Sequence, residues 1–258
     1  MSKPKDPVEI VATIRESIEA SPRKSRKVRF HNLRSQFGWQ AWTTPRKDLV
    51  AQLLKDQGIL AQPPLADAGL DDWIMLSMPI FTNPGTKDPV SRPDDDFFRR
   101  LMSVHLGPER EVELHYVTRL FHALDYDDIN EAAGFGFLLH EGVSHKRVEA
   151  DFVYFADEDH SMQGAPLVLV EAKSAGHKLD AAIEQARSYA HVLRPMYYVV
   201  TNGDVVMVWN YQGAIPDVKE LEFRREELQD RFDEIYRFLN CETVTKARDE
   251  KIRRWSQK

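Results

Sequence analysis

Two charged residues close a short apolar run near the middle of the chain. Residues 166–173 read Pro-Leu-Val-Leu-Val-Glu-Ala-Lys, so Glu171 and Lys173 stand two positions apart at its end. An apolar run of this length predicts a strand buried on both faces, and strand residues two apart point to the same side. Unlike charges at the end of such a strand are costly to desolvate. The pair is therefore either a salt bridge at the mouth of a strand or part of a site.

The segment upstream adds a second carboxylate. Residues 147–155 predict another strand, with Asp151 near its start, and the polar stretch 156–165 predicts a hairpin loop. Antiparallel pairing would bring Asp151 and Glu171 together at one edge of the sheet. Two carboxylates there supply the hard oxygen ligands that Mg²⁺ prefers. Without a cation they are like charges at close range, so one is expected to titrate with a raised pKa.

Two predicted helices flank these strands and carry further polar residues. Glu113 opens a pattern of apolar residues at helix spacing, so this acid lies on or beside a buried face. A second helix is predicted over about residues 178–193, on which Gln185 and Tyr189 share a face. Tyr189 is expected to pack on the sheet.

In chain order, Glu113, Asp151, the segment Glu171-Ala172-Lys173 and the segment 185–190 resemble the core of the PD-(D/E)xK nuclease superfamily. The likeness is closest to the N-terminal nuclease domain of type I restriction-enzyme motor subunits. In that group a helix-borne Glu, an Asp, a Glu-x-Lys and a Gln-x-x-x-Tyr follow in this order. The resemblance covers roughly residues 110–211, and Ala150 stands where the superfamily name has Pro.

The resemblance implies an α/β fold with a restriction-endonuclease-like mixed central sheet flanked by helices. It also implies a metal-dependent DNA endonuclease in restriction or related genome defence. Asp151, Glu171 and Glu113 are the implied metal ligands, for Mg²⁺ with Mn²⁺ as a substitute. Lys173 would position or polarise the attacking water, and Gln185 would orient that water or the phosphate. Double-stranded DNA is the expected partner.

Several alternatives stay open at this stage. The chain could be a catalytically silent DNA-binding or regulatory protein with a nuclease-like fold, or a nuclease for RNA or branched DNA. Cutting both strands of a duplex favours a homodimer, and a partner subunit could supply target choice. The sequence has no Walker motif, so no ATP-driven motor is expected to accompany the nuclease core, unlike in the motor subunits.

The composition is that of a soluble protein with an uneven charge distribution. The 258 residues are 42% hydrophobic, with one cysteine and no long apolar run or apolar N-terminal segment, so a cytoplasmic protein without membrane contact is expected. Residues 1–60 carry twelve Lys or Arg against six Asp or Glu, which leaves the rest of the chain at −12. This pattern indicates a DNA-contacting module joined to an acidic catalytic body.

The basic N-terminal part predicts three helices followed by a two-stranded ribbon, over residues 7–20, 30–37, 43–57, 59–61 and 73–78. That order is typical of a winged helix-turn-helix, whose third helix enters the major groove. The expected DNA contacts are Arg26, Lys27, Arg29, Arg34, Arg46 and Lys47. The alternative is a protein-interaction module with a basic, solvated face.

The expected domain organisation has three parts. Residues 1–79 form the winged-helix-like domain, and residues 80–96, which contain three prolines, form a linker. Residues 97–258 form the nuclease-like domain with a helical C-terminal tail. The acidic run 94–96 is interpreted as a solvated helix cap.

Overall fold

The structure, a computed structural model, describes residues 6–21, 25–78, 89–141, 144–160, 166–213 and 215–256. It divides into two compact units, of which the first comprises residues 1–82 and 212–217 and the second the remainder. The predicted linker lies partly outside the described residues. In the described part of the chain, no helix combines the length and apolarity needed to cross a membrane.

The first unit packs three helices with a small antiparallel sheet. Its elements are α1 (Pro7–Glu19), β1 (Ser25–Arg29), α2 (Phe30–Gln36), α3 (Thr44–Asp56), β2 (Leu60–Gln62) and β3 (Trp73–Ser77). The strand order is β1-β3-β2. Ile10, Ile14 and Ile18 lie on one buried face of α1, as helix spacing requires, and join one apolar core with residues of every other helix.

The predicted two-stranded ribbon is present as the antiparallel pair β2 and β3, but β1 adds a third strand that was not predicted. Its sequence, Ser-Arg-Lys-Val-Arg, contains one apolar residue, Val28, and so lacks a strand signal of its own. Pairing imposes the strand: β1 runs antiparallel to β3, with Val28 opposite Ile74 in the core. A basic edge strand of this kind is determined by its neighbour and not by its own pattern.

The second unit is built on a six-stranded sheet. Its elements are α4 (Asp95–Ser103), α5 (Glu109–Val112), a π-helical turn (Glu113–Val117), α6 (Thr118–Ala123), β4 (Glu131–Glu141), β5 (Ser144–Tyr154), β6 (Val168–Ala172), α7 (Asp180–Leu193), β7 (Tyr197–Thr201), β8 (Val205–Asn210), β9 (Val218–Arg224), a 3₁₀ turn (Arg225–Glu227), α8 (Leu228–Leu239) and α9 (Cys241–Ser256).

The sheet is mixed, as predicted. Its order is β4-β5-β6-β7-β8-β9, with β6 and β7 parallel and the other neighbours antiparallel. Every residue of β6 and β7 is buried, which accounts for their continuous apolar sequences. The parallel pair needs a crossover, which α7 provides. Small residues at Ala182, Ala186 and Ala190 face the core along α7.

Two elements of the second unit differ from the predictions, and one prediction is confirmed. β9 was missed because it is an edge strand in which only Leu221 and Phe223 are buried. The C-terminal tail was expected to be helical from Arg224, but its first helix begins at Leu228, after a 3₁₀ turn. The run 94–96 does cap a helix, since the Asp94 side chain accepts a hydrogen bond from the Phe97 amide.

The turn between β7 and β8 supports the segment that leads into α5. Asn202 Oδ1 accepts hydrogen bonds from the amides of Asp204 and Val205, and Gly203 between them has a φ of +83°. An added Cβ at Gly203 would lie 2.5 Å from Leu106 Cδ1. The loop before α5 therefore packs directly against this turn, which helps to position the acids of α5.

We expect Gly203→Ala to destabilise the protein more than Gly176→Ala. Both glycines have positive φ, but the space around Gly176 is open to 4 Å. Each substitution costs about 1 kcal/mol for the left-handed backbone. Gly203→Ala adds about 1–3 kcal/mol because the buried Leu106 must move. Urea unfolding of both variants measures the difference, and equal losses would contradict the contact.

Candidate active site

Asp151 and Glu171 lie side by side at the end of β6. In the antiparallel pair of β5 and β6, Phe152 is opposite Val170, and the same register places Asp151 opposite Glu171. The Ala172 amide donates a hydrogen bond of 2.6 Å to Asp151 Oδ2 and holds that carboxylate in place. The predicted antiparallel pairing is confirmed. Asp151 is not near the start of its strand, however, because pairing with β4 extends β5 back to Ser144.

Glu171 is the most deeply buried acid of this group, with 1% of its side chain exposed. Its Oε1 accepts a hydrogen bond of 2.7 Å from Lys173 Nζ, so the two residues do form a salt bridge. Its Oε2 is also buried and has no hydrogen-bond partner among the described residues. Leaving a buried carboxylate oxygen unpaired costs its full desolvation free energy, and a cation would remove that cost.

The helical segment 109–123 brings two further acids to this point. Carboxylate oxygens of Glu109, Glu113 and Asp151 all lie within 4.8 Å of one another. Glu109 Oε2 also lies 3.5 Å from Lys173 Nζ, and Arg110 Nη1 donates to Glu113 Oε2 at 2.7 Å. This cluster joins three of the predicted residues, Glu113, Asp151 and Lys173, to one that was not predicted.

Sequence reasoning missed Glu109, because the helix was expected to open at Glu113. The helix begins four residues earlier, and Glu113 instead begins the π-helical turn. The sequence did contain a signal for Glu109, because it lies four residues before Glu113 and residues four apart lie on one helical face. Single π turns inside α-helices occur frequently at functional sites.

Burial dominates the electrostatics of the two central carboxylates. It raises the pKa of Asp151 to about 6, against the opposing effects of the Ala172 amide and Lys173. Burial and then the charge of Asp151 raise the pKa of Glu171 to about 7, although Lys173 acts in the other direction. The predicted like-charge repulsion is thus present, but desolvation is the larger cause. For Lys173, burial lowers the pKa, but Glu171 outweighs it and the pKa is raised.

Gln185 and Tyr189 lie on α7 beside this group. Gln185 Nε2 donates a hydrogen bond of 3.0 Å to the Tyr189 hydroxyl. Tyr189 is buried and meets Phe137 edge to face, so it packs on the sheet as predicted. Burial raises the pKa of Tyr189, with smaller contributions from the charges of Glu171 and Asp151. The role of Gln185 at a phosphate stays a prediction.

The six predicted DNA-contacting residues all lie in the first unit but in different surroundings. Arg26, Lys27 and Arg29 are on β1, Arg34 is on α2, and Arg46 and Lys47 are in the first turn of α3. Lys27 is exposed, whereas the other five are half-buried. Arg29, Arg46 and Lys47 donate hydrogen bonds to backbone carbonyls of the unit itself.

The raised pKa values make the stability of the metal-free protein depend on pH. An acid whose folded pKa lies above its unfolded value binds more protons when folded, so stability falls as pH rises between the two values. For Asp151 that interval runs from about 4 to about 6. We expect wild type to lose on the order of 2 kcal/mol relative to Asp151→Asn between about pH 4 and about pH 7.

Urea unfolding in EDTA across this pH range measures the effect. Asp230→Asn is the matched control, because Asp230 is exposed on α8. If the free energies of unfolding of wild type and Asp151→Asn changed in parallel with pH, the pKa of Asp151 would not be raised in the folded protein.

Comparison with known proteins gives one family match. Residues 108–222 match the model of the type I restriction enzyme R protein N terminus (HSDR_N). No curated protein matches the chain.

Two solved structures share low similarity with the chain. A fragment of a putative HsdR subunit of a type I restriction enzyme from Vibrio vulnificus YJ016 has 20% identity and a TM-score of 0.34, over 50% of this chain and 26% of that one. The DrdV–DNA complex has 10% identity and a TM-score of 0.37, over 56% of this chain and 13% of that one. The chain thus spans about a quarter or less of either structure.

The matched segment contains all six polar residues described at the candidate site: Glu109, Glu113, Asp151, Glu171, Lys173 and Gln185. Over residues 108–222, the chain is therefore similar to the N-terminal domain of type I restriction-enzyme R proteins, as its motifs predicted.

Proposed function

We propose that the second unit is a metal-dependent DNA endonuclease that acts in restriction or related genome defence. The observation that carries this proposal is the buried Glu171 carboxylate, whose Oε2 has no partner among the described residues while three more carboxylates lie close by. Such an arrangement is costly in a protein without a cation. The family match over residues 108–222 supports a nuclease as the reason for it.

The donor set fits a divalent cation. Glu109, Glu113, Asp151 and Glu171 provide four carboxylates, against the cations of Lys173 and Arg110. The fully ionised group has an excess of two negative charges, which a single divalent cation would neutralise. Hard oxygen donors suit Mg²⁺, with Mn²⁺ as a substitute. We propose Asp151, Glu171 and Glu113 as the ligands, with Glu109 beside them.

Each side chain would contribute to hydrolysis in a different way. A bound divalent cation would supply Lewis-acid polarisation of the phosphate and a nucleophile near neutral pH. The Ala172 amide holds Asp151 Oδ2, so the other carboxylate oxygen is oriented before substrate binds. Lys173, held between Glu171 and Glu109, can donate to an attacking water or to a phosphate oxygen. Gln185 is proposed to orient the same water or phosphate.

The first unit is proposed to be a winged helix-turn-helix that binds DNA. Its element order α-β-α-α-β-β and its strand order β1-β3-β2 support that assignment. We further propose a cytoplasmic protein that cuts duplex DNA as a homodimer, with a partner subunit as an alternative means of target choice.

Two other functions compete with this proposal. The Lys173–Glu171 salt bridge would also occur in a catalytically silent DNA-binding or regulatory protein, where it would only fill the end of β6. A nuclease for RNA or branched DNA would use the same side chains. Cleavage assays on duplex DNA, RNA and branched DNA distinguish the two nucleases from each other and from the silent protein.

We expect plasmid cleavage with Mg²⁺ or Mn²⁺ and none with EDTA. Lys173→Ala and Asp151→Asn should each lower the cleavage rate about 100-fold or more, because Lys173 is proposed to act on the water or the phosphate and Asp151 is a proposed metal ligand. Lys246→Ala is the matched control, since Lys246 is exposed on α9. Parallel assays use RNA and four-way junctions.

Three outcomes would count against the proposal. Cleavage that persists in both variants would place the active site elsewhere. Binding of duplex DNA without cleavage under any metal condition would favour the silent protein. Faster cleavage of RNA or of four-way junctions than of plasmid would show that RNA or branched DNA, and not duplex DNA, is the preferred substrate.

We also expect Glu109→Gln to weaken Mn²⁺ binding about tenfold, as loss of a supporting acid typically does. Asp151→Asn and Glu171→Gln should weaken it more, because both remove proposed ligands. Free Mn²⁺ measured by electron paramagnetic resonance follows binding independently of activity, with Asp230→Asn as control. Unchanged affinity in Glu109→Gln would exclude Glu109 from the site.

A further inference from the structure

We propose that the first unit contacts the phosphates of duplex DNA through one face of its sheet, formed by Lys27, Arg29 and Trp73, and not through α3. We call these three residues the β1–β3 patch. The inference rests on the proposed function, in which duplex DNA is the substrate, and assigns the surface that binds it.

The register of the sheet assembles this patch. Arg29 is opposite Trp73, and Lys27 is opposite Met75, so Lys27, Arg29 and Trp73 share one face of the sheet. The opposite face holds Val28 and Ile74 in the core. Trp73 is 46% exposed, which is high for the largest apolar side chain, and Lys27 is also exposed. An aromatic residue and two cations are therefore accessible together.

The indole ring holds both cations in place. The Arg29 guanidinium carbon lies 4.6 Å from the Trp73 ring centroid, and Lys27 Nζ lies 5.2 Å from it. Arg29 Nη1 also donates a hydrogen bond of 2.8 Å to the backbone carbonyl of Asp71. The carboxylate of Asp71 lies 3.8 Å from His31 Nδ1. Arg29 is thus oriented by a ring and a carbonyl, neither of which neutralises its charge.

This geometry favours phosphate as the ligand. Because the cations already lie over the ring, the indole serves as their support and is not an open platform for a stacked base. Ordered cations lose less conformational entropy when they bind an anion. The DNA backbone presents a regular row of such anions and is bound without regard to sequence.

The cations of α3 are directed differently. Lys47 Nζ donates to the carbonyls of Ala66 and Ala68, both at 3.1 Å, and lies over the Phe30 ring. Arg46 Nη1 donates to the Ala41 carbonyl at 2.9 Å, and its guanidinium carbon lies 5.0 Å from the centroid of the Trp39 ring. Lys47 thus ties the unit together, and its contact with DNA would require those two bonds to break. Arg46 resembles Arg29, since each bonds to one carbonyl and lies over an indole, but the ring under Arg46 is half-buried.

The remaining surface near α3 is unfavourable for DNA. Asp48 and Asp56 are exposed on the helix, with Lys55 as an exposed cation in its last turn. Asp67 is exposed between Ala66 and Ala68, the two residues to which Lys47 bonds. A helix placed in the major groove lies between two rows of phosphates, which would repel these carboxylates. Asp71 and Asp72 adjoin the β1–β3 patch and do not distinguish the two surfaces.

The test measures binding of the full chain to a short fluorescent duplex by anisotropy, in EDTA and at several salt concentrations. Lys27→Ala/Arg29→Ala is compared with Arg46→Ala/Lys47→Ala, which removes the same charge from the same unit. We expect the first pair to lower affinity and to reduce the slope of log affinity against log salt by about 2, equally on duplexes of unrelated sequence. The second pair should change the slope less.

Trp73 variants separate support of the cations from a general loss of structure. Trp73→Ala should weaken binding, while Trp73→Phe, which keeps an aromatic ring, should retain most of it. Thermal unfolding checks that each variant is folded.

Different failures have different meanings. Duplex binding that is lost in the α3 pair but not in the β1 pair would overturn the inference and leave the proposed nuclease intact. Tighter binding to single strands than to duplex would overturn it in favour of base stacking. No duplex binding by wild type would overturn both the inference and duplex DNA as the substrate.

Discussion

The second unit depends on a carboxylate that the fold has removed from water. Glu171 ends a strand that is buried along its whole length, and 1% of its side chain is exposed. Its desolvation is offset at one oxygen by Lys173 and at the other by no described residue. A buried ion pair is seldom a net gain in stability. This cost is the observation from which the proposed active site is argued.

Neighbouring elements converge on this carboxylate by different means. The β5–β6 register sets Asp151 opposite Glu171, and the Ala172 amide orients it. The helical segment that begins at Glu109 adds two acids from another direction, and the loop before it packs against the β7–β8 turn. The strands thus position Asp151 and Glu171, while the helical segment adds the negative charges of Glu109 and Glu113 beside them. The result is a cluster in which burial raises the pKa values of Asp151 and Glu171 toward neutrality.

In the first unit, the net positive charge is larger than the charge that is accessible to a partner. Residues 1–60 carry an excess of positive charge, yet Arg46 and Lys47 bond to carbonyls of the unit itself. Lys27 and Arg29 lie over an exposed indole, although Arg29 also bonds to the Asp71 carbonyl. Charge counted along a sequence therefore indicates that a polyanion is a suitable partner, but the side-chain contacts indicate which surface would meet it.

The sequence by itself determined the elements with strong local patterns and the order of the site residues. The apolar run of β6 and the helix spacing in α1 and α7 were readable, because each depends on residues close together in the chain. The order of the predicted site residues, Glu113, Asp151, Glu171, Lys173 and Gln185, was recognised through its resemblance to the PD-(D/E)xK superfamily. Only the tertiary structure decided the strands β1 and β9, the membership of Glu109 in the acidic cluster, and the partners of Lys47. Edge strands form because a neighbour offers hydrogen bonds, and a side chain's partner is set by packing between distant segments. These interactions leave no periodic pattern in the sequence.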